Sequence, residues 1–331
     1  MNPLVSVVLP VRDGGEFLSQ AVESILSQTF ENLELLLIDD HSSDDAISSL
    51  DKSDPRLKVF NCKGNGLVDA CNTGFELGRG DYIARMDADD ISLPERIQCQ
   101  LDYLDQHPSV AISGCCVEIF SDTGIQGGLE RYQAWLNSVR EPGQVHQQIF
   151  IESPLPNPGL MFRKAALQQL GGYRKNQWPE DYDLLLRADA AGMHMGKPEA
   201  VLLRWREHET RLTHTDSLYD RQNFMQAKAY FLVHHRLKGR PVIIWGAGPT
   251  GRLMFDLLTA QGGKVEGFIE VHPRRIGGLK RGLPVWPMDK VENPGAAMLL
   301  VAVGAAGARA EIADYLHRHD RFPGGDYLFV A

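Results

Sequence analysis

The sequence predicts an α/β protein built from two successive units. Three observations predict it. Short apolar runs alternate with segments of helical periodicity through the first half of the chain. Those runs lack polar alternation, which implies strands covered on both faces of a parallel sheet. The pattern then restarts at Lys238-Gly239-Arg240-Pro241 with strand, glycine-rich turn, helix and strand.

The elements follow in order. "LVSVVLPV" (Leu4–Val11) is a short apolar strand, and 16–28 places Phe17, Leu18, Ala21, Val22, Ile25 and Leu26 at helical spacing. "LELLLID" (Leu33–Asp39) is a second buried strand, with a polar helix expected from Asp44. "LKVF" is a third strand, 66–77 a helix ending near Gly78, and "DYIARMD" the fourth strand. Ser92-Leu93-Pro94-Glu95 has capping-box spacing and predicts a helix start, with Asp90 serving the same start. "VAISGCCVEIF" reads as one strand. Residues 121–160 form a loop-rich insertion with one or two helices, followed by a short helix over 164–170. "EDYDLLLRADAAG" is a helix with acids in its first turn, favourable against the helix dipole. "AVLLRWREH" is a strand, and 216–237 a long closing helix. After the restart, "AAMLLVAVG", a helix through "GARAEIADYLHRH" and the strand "DYLFVA" complete the second unit.

Bulk properties narrow the function. The 331 residues suit about two domains. A formal net charge of -9 argues against a nucleic-acid backbone as the main partner. The N-terminus enters the first strand without a basic region, apolar core and cleavage site, and no apolar run approaches the roughly 18 residues of a spanning helix. Five cysteines (62, 71, 99, 115 and 116) make no C-x-x-C pair, so buried reduced thiols are expected. These features point to a cytoplasmic protein.

The acids carry the chemistry. Asp87, Asp89 and Asp90 crowd the end of one strand, and Asp39-Asp40 end another. Glu180, Asp181 and Asp183 open the helix after Trp178-Pro179. Open parallel sheets bind ligands beyond the carboxyl ends of their strands. Carboxylates packed this closely oppose one another's ionisation unless a cation sits among them. Hard oxygen ligands of this kind suit Mg²⁺ or Mn²⁺, with water and phosphate filling the remaining positions.

Three stretches in order carry a resemblance: "SVVLPVRDGGEFLSQAVESILSQTFENLELLLIDDHSSDD", "GDYIARMDADDISLPERI" and "EDYDLLLR". Together they resemble the family 2 glycosyltransferases over about residues 4–215. The resemblance implies the GT-A fold, a nucleotide-binding α/β sandwich, followed here by a smaller Rossmann-like α/β domain. It implies domains of 1–215 and 239–331, joined by a linking helix at 216–238. It also implies roles. Asp40, with Asp39 beside it, would hold the nucleotide base, and Pro10 lies where the first strand meets that nucleotide. Asp87-Ala88-Asp89 matches the D-x-D motif. Asp89 is the foremost metal ligand, with Asp87 near the metal or the ribose. Asp181 matches the catalytic base, with Glu180 as its neighbour. Arg206 and His208 resemble the closing segment near the diphosphate. The implied reaction moves a sugar, with inversion, from a nucleotide-sugar (UDP-sugar by default) to a hydroxyl on a glycan or lipid-linked acceptor. That acceptor would be reached from the cytosol, by peripheral association with the inner face of the membrane. Two departures bear on substrate choice: Arg12-Asp13 follows the first strand where relatives often carry Asn, and Asn157-Pro158 stands where many have His-Pro. Trp135 and Trp178 are candidates to stack on a sugar ring.

The second unit carries "GAGPTG", with Gly246, Gly248 and Gly251 between a strand and a helix, and Glu270 ends the next strand. That is the context of a nucleotide phosphate at a helix N-terminus, so NAD(P) is a candidate ligand. A glycine turn in a docking or homo-oligomerisation domain is the other reading. Two rivals to transfer follow: a sugar-nucleotide oxidoreductase or epimerase run by this unit, and a non-catalytic sugar-nucleotide-binding scaffold.

Overall fold

The structure is a computed structural model that describes residues 3–122, 124–305 and 307–331. Chain contacts group Met1–Val145 with Pro154–Ser217 in one unit, and His146–Ser153 with Leu218–Ala331 in a second.

The first unit opens with β1 (Val5–Val11), α1 (Leu18–Leu26), β2 (Leu33–Asp39), β3 (Leu57–Asn61), α2 (Leu67–Leu77) and β4 (Tyr82–Arg85). Then come β5 (Ile91–Ser92), α3 (Arg96–Gln106), β6 (Val110–Ser113) and β7 (Cys116–Phe120). Helices α4 (Gly127–Ser138) and α5 (Pro142–Gln148) lie in the insertion, whose Thr123 is outside the described residues. The unit closes with β8 (Met161–Arg163), α6 (Lys164–Leu170), α7 (Glu180–Ala190), β9 (His194–Gly196), β10 (Val201–Arg206) and α8 (Leu212–Thr215). A seven-stranded sheet runs β3-β2-β1-β4-β8-β6-β9, and a three-stranded sheet runs β5-β10-β7. Every residue of β1 is buried, as expected of a strand covered on both faces.

Four expectations need correcting. The main sheet is mixed, because β8 pairs antiparallel with both β4 and β6. The run "VAISGCCVEIF" is two strands in different sheets. The break falls at Gly114, where a Cβ would lie 2.7 Å from Leu155 Cδ2. No helix follows Asp44: the amides of Ser43 and Asp44 donate to Asp13 Oδ1, and Asp44 Oδ2 accepts from Gly15 N. Ser92 does not cap α3 either. It lies in β5, paired with Leu203, and α3 begins at Arg96. The buried Gln28 serves that helix start instead, its Oε1 accepting from Ile97 N at 3.0 Å.

The second unit contains α9 (Arg221–Phe231), which continues into a π-helical turn over Leu232–Arg236, so the closing helix is not uniform. Beyond it lie β11 (Val242–Trp245), α10 (Pro249–Ala260), β12 (Val265–Ile269), β13 (Leu279–Lys280), β14 (Leu283–Trp286), β15 (Met298–Val301), α11 (Ala308–Arg318) and β16 (Tyr327–Phe329). Their sheet runs β13-β14-β12-β11-β15-β16 around Ile243, Trp245, Ile269, Leu299 and Val301. All five cysteines are free thiols, and four are buried. Among the described residues no helix is long and apolar enough to cross a membrane.

Glu34, near the start of β2, bonds to three other parts of the first unit. It accepts from Ser6 Oγ of β1 at 2.8 Å, from Lys58 Nζ of β3 at 2.9 Å, and from Arg79 N and Nη2 at 2.8 Å. Burial alone would raise its carboxyl, but the Arg79 and Lys58 bonds outweigh burial and hold it at about 2, against an ordinary 4.5. A carboxyl depressed in the folded state contributes stability that is fully present above its unfolded value and is lost as pH falls toward the folded one. Glu34→Gln is therefore expected to be less stable than wild type at neutral pH in urea titrations. The gap should close as pH falls from 4.5 to about 2; a gap independent of pH would refute the assignment.

Candidate active site

Strands β2, β1 and β4 are mutually parallel, so their carboxyl ends lie along one edge of the sheet. Asp39 and Asp40 follow β2 at that edge. Asp40 is buried; its N–H donates to Val11 O at 2.8 Å, and its two oxygens accept from Gly66 N at 2.9 and 3.0 Å. Arg12 Nη1 stands 3.8 Å from its Oδ2. Gly66, at φ +93, is the residue from which α2 starts, so Asp40 fixes that helix entry. Asp39 Oδ1 accepts from Ser42 N at 2.8 Å. Pro10 lies buried in β1, in register with Ile38.

The acid turn after β4 gathers Asp87, Asp89 and Asp90, with one carboxylate oxygen from each within 4.8 Å of the others. Each acid gives one oxygen to the protein. Asp87 Oδ1 is 2.6 Å from Arg85 Nη2, Asp89 Oδ2 is 2.9 Å from His208 Nε2, and Asp90 Oδ1 accepts from Arg206 N at 2.8 Å. The second oxygen of Asp90 is buried without a hydrogen-bond partner among the described residues. Burial pushes the Asp90 carboxyl well above the carboxylate range, and its neighbours Asp89 and Asp87 push it further. Burial also raises Asp87, against the pull of Arg85. An orphaned oxygen and crowded hard donors fit a small divalent cation. The sequence offered Asp90 both to the acid cluster and to a helix start; the structure places it with Asp87 and Asp89.

Arg206 is buried and already engaged. Its Nε donates to Asp89 O at 2.8 Å and its Nη2 to Gln20 Oε1 at 2.6 Å. Its guanidinium lies 4.3 Å from the Phe17 ring centre and 4.6 Å from that of Phe120. His208 packs 5.3 Å from Phe17, ring to ring.

Glu180, Asp181 and Asp183 open α7 as expected, but they differ in use. Asp183 is buried, 2.7 Å from Arg187 Nε, and accepts from Trp178 Nε1 at 3.0 Å. Arg187 in turn donates to Leu170 O and Gly172 O. Asp181 Oδ1 accepts from Tyr182 N at 2.6 Å. Burial raises the Tyr173 hydroxyl; Cys71, Asp181 and Glu180 add to this, and Arg85 opposes it. Arg85 therefore shares one electrostatic neighbourhood with the acid turn and the start of α7. Tyr173 Oη also donates to Asn157 Oδ1. Trp135 packs against the core of the unit. Sequence reasoning missed Arg85 and Gln20. For Arg85 the signal was present: a lone cation in an apolar strand, next to acids.

In the second unit, Gly246 adopts φ +110. A Cβ on Gly251 would lie 1.8 Å from Gly246 O, so close packing of α10 on the turn demands that glycine. Gly248 precedes α10 in extended conformation. Glu270 is buried and accepts from Arg275 Nη1 at 2.9 Å and from Val271 N at 3.0 Å.

The geometry can be set beside known proteins. A family model described as glycosyl transferase family 2 matches residues 6–171, half of the chain. The chain belongs to that family. The glycosyltransferase is 33% identical to EpsE of Bacillus subtilis over 62% of this chain and 74% of that protein. It is 28% identical to the amylovoran biosynthesis glycosyltransferase AmsE of Erwinia amylovora, over 72% of this chain and 94% of AmsE. Among solved structures, S. aureus TarS in complex with UDP-GlcNAc superposes with a TM-score of 0.55 at 15% identity, covering 78% of this chain and 71% of TarS. The fold is GT-A, with a sheet domain at the C-terminal end. The family match spans the acid turn and Asp39-Asp40 but stops before α7.

Removing Asp183 would leave Arg187 buried without its anion. Asp183→Ala should lower stability by about 3–5 kcal/mol in urea denaturation. Wild-type stability in that variant would mean the pair does not hold α7.

Proposed function

We propose that the glycosyltransferase moves a sugar from a nucleotide-sugar to an acceptor hydroxyl during polysaccharide assembly, with inversion and with a divalent cation at the acid turn. The observation that carries this is the set of three carboxylates, each using one oxygen on the protein. We assign transfer to the domain of residues 1–215, with 216–238 linking it to the Rossmann-like domain of 239–331.

Pro10, Asp39 and Asp40 would bound the nucleotide at the carboxyl edge. Asp89, with Asp87, would hold Mn²⁺ or Mg²⁺, and the cation supplies charge compensation for the departing diphosphate. His208 would orient Asp89, and Arg206 would fix the turn through Asp89 O and the carboxylate of Asp90. Asp181 would take the proton from the acceptor hydroxyl as that oxygen attacks the anomeric carbon, with Glu180 beside it. TarS was solved with UDP-GlcNAc, so a UDP-sugar is the first donor class to test. AmsE is named for amylovoran biosynthesis, which supports a part in polymer assembly. The acceptor would be a glycan or lipid-linked molecule, met at the inner face of the membrane. In the second unit backbone conformation accounts for Gly246 and close packing for Gly251, and Arg275 engages Glu270, so these three residues have structural roles that need no nicotinamide.

Two outcomes test this reading. Asp181→Asn should lower turnover by about 10²–10⁴-fold, while calorimetry shows donor affinity unchanged; normal turnover would remove Asp181 from the role of base. In titrations with UDP, GDP and dTDP, one nucleotide should bind with Mn²⁺ present and lose binding in EDTA. Equal binding in EDTA would show that the acids do not work through a cation.

A further inference from the structure

Behind the acid turn lie two arginines with no part in the transfer steps above. Arg85 ends β4 and Arg96 begins α3, and both are fully buried. A guanidinium taken out of water must be paired, since the lost hydration is not otherwise recovered. Arg96 meets that demand within the protein. Its Nη2 donates to Arg85 O at 2.6 Å, its Nε to Gln100 Oε1 at 3.1 Å, and its Nη1 faces Met86 Sδ at 3.4 Å. Arg96 therefore props the backbone from which the acid turn leaves the sheet.

Arg85 behaves differently. Its Nη1 donates to Met86 O, and its Nη2 approaches Asp87 Oδ1 at 2.6 Å. That approach pairs the charges without aligning the N–H: neither Nε nor Nη2 makes a hydrogen bond among the described residues. The groups beside it are the Cys71 thiol, pushed up to about 12 chiefly by burial, and the Tyr173 hydroxyl, also raised by burial. Both are neutral near neutral pH, and the carboxylate oxygen that the structure sets against Arg85 is Asp87 Oδ1. A packing role would favour a guanidinium with each nitrogen hydrogen-bonded, as in Arg96. This one is aimed at a single carboxylate of the acid turn.

The geometry points to Arg85 as a positioning residue for sugar transfer: it grips Met86 O and Asp87 Oδ1 from beneath, fixes the Asp87 rotamer and leaves the second Asp87 oxygen to the ligand. This rests on the reading of Asp87-Ala88-Asp89 as the cation and donor site. Arginine suits the task because it stays charged and its rigid planar fork sets one nitrogen on Met86 O while another lies against Asp87 Oδ1. Lysine would keep the charge but has one nitrogen to set against both groups.

The test uses the full-length protein with Mn²⁺ alone as probe, its free concentration followed by electron paramagnetic resonance. Arg85→Lys, Asp87→Asn and the double variant form a cycle. Arg85→Lys should weaken Mn²⁺ affinity by about 10–100-fold at an unchanged Tm, and should cause no further loss in the Asp87→Asn background. Additive losses, or wild-type affinity in Arg85→Lys, would overturn the positioning role while leaving the acid site intact. Wild-type protein that binds no Mn²⁺ would overturn both the site and the role. If Arg85→Lys does not fold, Arg85→Gln, which buries no charge, replaces it in the cycle. A separate arm needs no Arg85 variant: Asp87→Asn strands a buried cation and should melt below Asp89→Asn, whose partner His208 is partly exposed. Equal melting temperatures would overturn the pairing on which the proposal stands.

Discussion

Repulsion among three carboxylates at the end of β4 is the constraint that much of the first unit answers. The acids converge because the chain leaves the sheet at the carboxyl edge, beside the parallel strands that carry Asp39 and Asp40. Crowding them together, with Asp90 buried, would be prohibitive without compensation. Compensation arrives from distant elements: Arg85 from β4 itself, the Arg206 amide from β10, and His208 just beyond it. The small sheet β5-β10-β7 makes this convergence possible. Pairing of Ile91 with Arg204 and of Ser92 with Leu203 lays the end of the acid turn along β10.

Much of this was legible in the sequence. The buried strands and amphipathic helices are written in local patterns, and acids at strand ends stand out because charge is scarce there. What was illegible depends on partners far away in the chain. Ser92 has the spacing of a helix cap, yet Gln28, 69 positions from Ile97, satisfies that helix. Asp44 looks like a helix start, yet its carboxylate is taken by Gly15 N, across 29 positions, and no helix follows. Strands β8 and β9 are three residues long, too short for periodicity to show. The resemblance places Arg206 near a diphosphate, but nothing in the sequence shows that its guanidinium lies between two aromatic rings with its Nε and Nη2 engaged. A sequence shows the sign of a charge but not the direction in which it points.

The second unit shows how one motif can answer to two causes. Its glycine spacing is that of a phosphate-binding turn. Gly251 is nevertheless demanded by the approach of α10 to Gly246 O, and Gly246 by its backbone angle. Both demands exist whether or not a phosphate is bound. Glu270, at the place of a ribose-binding acid, is held by Arg275, and those bonds keep its carboxyl below the ordinary range although burial opposes them. The spacing therefore establishes the turn, and a ligand would need to displace an existing ion pair.

At the acid turn the opposite holds. Each of the three carboxylates spends one oxygen on a fixed partner, and the partners come from three different residues. Had the acids served only as helix caps or solvated turn residues, both oxygens would face water or local amides. Instead one oxygen of Asp90 is buried with no hydrogen-bond partner among the described residues, and burial raises both Asp87 and Asp90. A site that pays such an electrostatic cost in isolation gains most when positive charge enters it. Because the carboxylates are already held, little reorganisation is needed at that moment, and preorganised charge of this kind is what makes a polar site effective in transfer chemistry.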